Sequence, residues 1–171
     1  VDSLTELYSR AHFEASCKQL IDLAHRVQAP VCLMLCDMDD FKGINDQLGH
    51  PEGDLILQRF ASLVKQTIRK GDIAGRLGGD EFAVLFYGCD LAVAHDIIER
   101  LRRATTQLDS ADGRPISISA GLVSVEAGIR FEDAYVLADQ ALYAAKAAGR
   151  NTVRVRGEHE CQPAVPPLPS A

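Results

Sequence analysis

Ile73-Ala-Gly-Arg-Leu-Gly-Gly-Asp-Glu-Phe-Ala-Val-Leu-Phe86 joins two strand-like runs through a glycine pair, so Gly78 and Gly79 read as the turn of a β-hairpin. The turn leads straight into Asp80 and Glu81, which puts two carboxylates at a fixed, exposed tip. Two acids held side by side repel each other, and a divalent cation relieves that cost. Magnesium in particular takes carboxylate oxygens together with substrate phosphates. Gly-Gly-Asp is also an ordinary turn, so the pentapeptide by itself leaves both readings open.

Upstream, Val31 to Met38 is a continuous apolar run carrying Asp37 near its end, the pattern of a central strand buried on both faces. Phe13, Cys17, Leu20, Ile21 and Ala24 recur at helical spacing, and the run stops near Pro30, whose ring disfavours helix in the residue before it. Ile56, Phe60, Leu63, Val64 and Ile68 mark a second helix with Asp54 as its cap; the stretch between Asp37 and Asp54 reads as a polar, glycine-bearing loop. Beyond the hairpin, Ala94, Ile97, Ile98, Leu101 and Ala104 predict a third helix. Pro115 to Val125 alternates as a strand, Ala134 to Ala148 predicts a fourth helix, and Thr152 to Arg156 a short closing strand. The order α-β-α-β-β-α-β-α-β is that of an α+β fold. It contains βαββαβ, the ferredoxin-like split unit, whose own helices cover one face of an antiparallel sheet. The expectation is a mostly antiparallel central sheet surrounded by helices, with an N-terminal helix and a C-terminal short strand added. With the first strand central, Asp37 is expected beside Asp80.

A chain of 171 residues, 47% hydrophobic and 25% charged, suffices for one domain with a substantial core. Residues 1–156 are read as that domain and 157–171, where Pro163, Pro166, Pro167 and Pro169 dominate, as an extended tail. The net charge of −6 argues against a broad nucleic-acid-binding surface, so any phosphate binding has to be local. Cys17, Cys32, Cys36, Cys89 and Cys161 are odd in number. The Cys32/Cys36 pair lies in the apolar run without a second ligand pair, so reduced thiols and no zinc site are expected. No stretch reaches the about 18 apolar residues of a spanning helix and nothing resembles a signal peptide, so no membrane contact and a cytoplasmic location are expected. The chain opens Val1-Asp2 without methionine, as expected of a processed chain or of a piece of a longer protein, and an upstream sensor or receiver domain is expected to lie outside it.

A second constellation follows the central strand: Asp37-Met-Asp-Asp-Phe-Lys-Gly-Ile-Asn-Asp46, then Gly49-His50-Pro-Glu-Gly-Asp54. A calcium EF-hand loop also opens with alternating aspartates, but counting from Asp37 it would need glycine where Lys42 stands and glutamate where Leu48 stands. Solvated turn acids would account for neither the lysine among them nor the apolar strand that delivers Asp37.

Together the two constellations resemble the GGDEF family of bacterial diguanylate cyclases, with a third motif in Tyr143-Ala-Ala-Lys146-Ala-Ala-Gly149-Arg150-Asn151. Asp2-Ser-Leu-Thr-Glu-Leu-Tyr-Ser-Arg10 is similar to the family's opening D-x-L-T-G-L-x-N-R, departing at Glu6 and Ser9. The resemblance spans about residues 2 to 156. It implies a palm-type domain that condenses two GTP into cyclic di-GMP and two pyrophosphates at a homodimer interface. A silent GTP or cyclic di-GMP receptor module is the alternative, and a palm acting on another nucleotide is a third reading.

By this resemblance, Asp37, the Met38 carbonyl and Asp80 hold magnesium, with manganese as a substitute. Asp80 favours deprotonation of the attacking hydroxyl, an activated water being the other candidate base, and Glu81 orients the hairpin or completes a second metal's shell. Asn45 and Asp54 match guanine-binding positions, a carboxylate being able to accept from guanine's ring N–H and amino group where adenine has no such ring donor. The main chain around Asp40, Phe41 and Lys42, with Lys146 and Arg150, is assigned to phosphate. Lys42 adds charge at the transition state, and Gly78 and Gly79 leave room for nucleotide. Outside the pattern, Lys146 and Arg150 read equally as helix-end cations. Arg69-Lys-Gly-Asp72 matches the family's product-inhibition site, with Arg69 reading a guanine edge and Asp72 accepting from its amino groups; alone it reads as a surface ion pair worth little to stability.

Overall fold

Every residue of the run Val31–Met38 is buried, because this strand is the middle of the sheet and is covered on both faces. The computed structural model describes residues 1–156; the proline-rich tail and Cys161 lie outside the described residues. The elements in chain order are α1 (Arg10–Val27), β1 (Val31–Met38), α2 (Phe41–Leu48), α3 (His50–Thr67) and β2 (Ile73–Gly78). They continue with β3 (Glu81–Tyr87), α4 (Leu91–Thr105), β4 (Ile118–Ser124), α5 (Phe131–Ala147) and β5 (Val153–Arg156). The sheet order is β2-β3-β1-β4-β5, with only the β4–β5 pair parallel. This is the expected α+β architecture with the first strand central.

The period-2 alternation of the strands sorts the core into two layers. Cys32, Met34 and Cys36 of β1, with Phe82, Val84 and Phe86 of β3, pack against Ile56, Phe60 and Val64 of α3 and Ile97, Ile98 and Leu101 of α4. Leu33 and Leu35, with Ala83 and Leu85, face Phe13, Cys17 and Ile21 of α1 and Ala134, Ala138 and Leu142 of α5. The split unit's own helices thus cover one face, and the added first and last helices cover the other. Two covered faces also explain why β4 is buried at six successive positions instead of alternating. Cys17, Cys32, Cys36 and Cys89 are buried free thiols.

Two expectations are corrected. The stretch after Asp37 is not all loop, since Phe41–Leu48 forms a helix. Asp54 does not cap α3, which starts earlier, at His50, with Gly49 as cap and proline in its first turn. Pro51 has a preset helical φ and no N–H to leave unpaired, so it starts the helix ahead of the apolar stripe. Asp54 is thereby placed on the helix as an exposed side chain with no capping duty.

Candidate functional site

Three segments meet at the carboxyl end of β1: the β2–β3 hairpin turn, the start of α2, and the turn after α5. Strand register brings the hairpin in. Asp37 pairs with Glu81 across the antiparallel β1–β3 ladder, and the Met38 N–H donates to the Asp80 carbonyl at 3.3 Å. Phe82, immediately after, is 1% exposed and meets Phe60 edge-on at 4.9 Å between ring centroids. Burying that ring contributes about 1.5–3 kcal/mol, which fixes the acidic tip to the core. A Cβ at Gly78 or Gly79 would meet no protein atom within 4 Å, so the space above the turn is open; Gly79 takes the left-handed φ of +34°.

The acids crowd one another. Burial, with the Asp37 charge second, raises the affinity of Asp80 for a proton above the ordinary carboxylate value. Burial and Asp37 push Glu81 the same way. Asp37 is itself 8% exposed; its Oδ1 is buried without any hydrogen-bond partner, while its Oδ2 accepts from Lys146 Nζ. Burial works against the Lys146 charge, but the Asp37 contact prevails and raises its pKa. The ammonium expected on phosphate therefore rests on a strand acid. No cluster of three or more His, Cys, Asp or Glu side chains able to hold a metal occurs among the described residues. Two carboxylates, one with an orphaned oxygen, nevertheless fit magnesium, which fills its remaining positions with waters and phosphate oxygens.

Asn45 on α2 and Asp54 on α3 stand on adjoining helices. A side chain at Gly53 would overlap Asn45 Oδ1 and press on Phe41, so glycine there lets Asn45 lie against α3, next to Asp54 in sequence. Asn45 Oδ1 is buried and unpaired. Asp40 takes a left-handed φ of 52° and makes no side-chain cap to α2. The amides of a helix's first turn have no intrahelical acceptor, so those of Phe41 and Lys42 suit an anion. Lys42 is exposed. Arg150 is exposed with a left-handed φ of 65°, in the turn after α5.

Arg69 and Asp72 lie on the loop before β2, apart from this convergence. They form more than a surface ion pair. Asp72 has a side chain with no exposed surface; its Oδ2 accepts from the Arg69 N–H (2.8 Å) and Nε (3.2 Å), and its Oδ1 from Nη2 (2.9 Å). Nη2 also donates to the Tyr87 carbonyl at 2.9 Å. Both Asp72 oxygens are engaged, so the group facing solvent is the guanidinium.

Three site neighbours escaped the sequence reading. Arg76 Nε donates to the Gly79 carbonyl at 2.9 Å while its Nη1 reaches both Asp2 oxygens at 3.3 Å, tying the hairpin turn to the start of the chain. An arginine inside an apolar strand run was the available signal. Arg10 Nη1 donates to the Leu77 carbonyl at 3.5 Å and its charge favours ionised Glu81. Asp39 gathers donors from two other segments, a link that no local pattern announces.

The family model for the diguanylate cyclase GGDEF domain matches residues 1–152. Diguanylate cyclase DgcS of Shewanella oneidensis is 38% identical over 154 residues, covering 90% of this chain and 52% of that protein. Probable diguanylate cyclase DgcT of Escherichia coli is 35% identical over 161 residues, covering 91% and 35%. The chain thus spans about half or less of the length of these curated relatives. Among solved structures, the GGDEF domain of DgcB from Caulobacter crescentus, in complex with c-di-GMP, superposes with a TM-score of 0.86 at 30% identity, covering 91% of this chain and 92% of that one. The active GGEEF domain of a diguanylate cyclase from Vibrio cholerae gives 0.84 at 32%, covering 88% and 97%. With fold, acidic hairpin and sequence in agreement over nearly all described residues, the chain belongs to the GGDEF family of diguanylate cyclase domains.

Proposed function

We propose that residues 1–156 are a diguanylate cyclase domain that joins two GTP molecules into cyclic di-GMP, at an interface between two copies that each hold one GTP. The observation that carries this reading is the meeting of Asp37 and Asp80 at one end of the sheet, with an Asp37 oxygen buried and unpartnered. The Asp37 carboxylate, the Met38 carbonyl and Asp80 would hold magnesium, or manganese in its place, which supplies positive charge against that developing on the attacked phosphate.

The 3′-oxygen of one GTP attacks the α-phosphorus of the other, the bond to pyrophosphate breaks, and the hydroxyl proton leaves; the same exchange in the other direction closes the ring. Asp80, beside the metal at the hairpin tip, would draw that proton, directly or through water. The Asp54 carboxylate accepts from the guanine ring N–H and amino group, with Asn45 beside it, so ATP is rejected for lack of the ring donor. Lys146 exchanges Asp37 for phosphate when the nucleotide arrives. Lys42, Arg150 and the first-turn amides of α2 take the remaining phosphate charge, and Glu81 steadies the hairpin. Arg69, oriented by Asp72, binds the product and slows the enzyme. GTP substrate and signalling product place the domain in the cytoplasm.

The test is incubation of the dimeric protein with GTP and magnesium and chromatographic assay for cyclic di-GMP. Product that vanishes with Asp80→Ala supports the reading. A dimeric sample that binds GTP and makes none overturns it in favour of a receptor.

A further inference from the structure

We propose that Asp39 is a positioning residue, which fixes the turn carrying Arg150 and thereby sets the affinity for the triphosphate without touching it. The inference rests on the GTP reading above.

Three donors from two distant segments converge on this carboxylate. Ser119 Oγ donates to Oδ1 at 2.6 Å, Ser117 Oγ to Oδ2 at 2.7 Å, and the Asn151 backbone N–H to Oδ2 at 3.0 Å. The Asp39 N–H in turn donates to the Ser117 carbonyl at 2.9 Å, so the residue is anchored to β4 before it reaches the turn. Ser119 is wholly buried, and the carboxylate is the partner that satisfies its hydroxyl.

The helix cap holds this segment only in part, through the Gly149 N–H on the Lys146 carbonyl (3.3 Å) and the Arg150 N–H on the Ala145 carbonyl (3.1 Å). Gly149, Arg150 and Asn151 have φ of 108°, 65° and 45°, three successive left-handed residues of which two carry side chains. Such backbone persists only where its surroundings over-determine it. Asp39 grips it at the Asn151 N–H. Arg102 Nη1 grips it from the other side, at Asn151 Oδ1 (2.9 Å), and is itself clamped by both oxygens of Glu99. Asp39 lies two residues beyond Asp37, so this contact sets Arg150 beside the carboxyl end of β1, where Asp37 and Lys146 already meet. Without the Asp39 carboxylate, the left-handed Arg150–Asn151 pair beyond the cap loses its hold at the Asn151 N–H, and Arg150 leaves that position.

Calorimetric binding of GTP and of GMP, with magnesium, to the wild type and to Asp39→Ala, Arg150→Ala and the double variant tests this. Asp39→Ala should weaken GTP about tenfold, as expected for a coupled contact, and leave GMP unchanged. The double variant should bind GTP no worse than Arg150→Ala alone. Equal losses on GMP and GTP, or losses that multiply in the double variant, overturn the proposal. Amide exchange at Asn151 provides a readout independent of nucleotide: it should quicken in Asp39→Ala, and an unchanged rate refutes the positioning role. If Asp39→Ala does not fold, Asp39→Leu, similar in size and without an acceptor, should show the same exchange and the same GTP-selective loss, and the absence of both is equally decisive. A wild type that binds neither nucleotide overturns the GTP reading, while the exchange result still decides whether Asp39 holds the turn.

Discussion

Arg69→Ala is the obvious variant for probing feedback inhibition, and the structure predicts that it also destabilises the fold. It deletes the Nε and Nη2 bonds to Asp72 and the Nη2 bond to the Tyr87 carbonyl. Asp72, whose side chain has no exposed surface, is left with the Arg69 N–H as its remaining donor. Breaking a fully buried pair costs 3–5 kcal/mol, and the guanidinium here is 41% exposed, so the discounted loss is about 2 kcal/mol. For a chain of this length that is a fall of roughly 4–8 °C in Tm by calorimetry. The cost comes from an orphaned charge, so adding Asp72→Asn to Arg69→Ala should recover part of it. Unfolding of Arg69→Ala within about 1 °C of the wild type, or a further fall in the double variant, would refute this reasoning. Loss of product inhibition is then to be read at a temperature where the variant is folded.

Two further outcomes are expected. Burial and Asp37 raise the pKa of Asp80 above 3.8, so the folded chain keeps that proton longer than the unfolded one, and metal-free stability falls as pH rises from 3.8 through the raised value. Thermal scans across that window should show Asp80→Asn flattening the fall, and magnesium stabilising the wild type increasingly as Asp80 ionises. Gly53→Ala gains about 1 kcal/mol of helix propensity but drives a methyl into Asn45 Oδ1, an overpacking cost of about 1–3 kcal/mol. The expected result is a stability change within about 2 kcal/mol and a roughly tenfold weaker GTP complex by calorimetry; unchanged affinity would place Asn45 outside the guanine site.

The apolar periodicities of α1, α3, α4 and α5 fall on the buried faces of helices, and the runs at Val31 and Phe82 are strands, because burial is encoded residue by residue. Helix α2 escaped because it is short and buries only Ile44; it is held by packing on α3 rather than by a stripe of its own. The start of α3 was misjudged for a related reason. Its first turn carries proline and polar residues, and Ile56 begins the visible pattern only later.

Asp37, Asp80, Asn45, Asp54, Lys146 and Arg150 are legible in the sequence as motif residues. Their partnerships are not. Strand register sets Asp37 against Glu81, Lys146 reaches Asp37 across 109 residues, Asn151 reaches Asp39 across 112, and Arg76 bridges Asp2 to Gly79. Whether Arg69 and Asp72 form a loose surface pair or a clamp around a buried carboxylate depends on how far the surrounding chain covers Asp72. Apart from α2 and the start of α3, the sequence by itself determined the elements, their order and the chemical inventory, since each depends on neighbours within a few turns. Only the tertiary structure decided which charges are buried, which oxygens lack a partner and which turns are held from outside, because desolvation and long-range hydrogen bonds exist only once distant segments have packed.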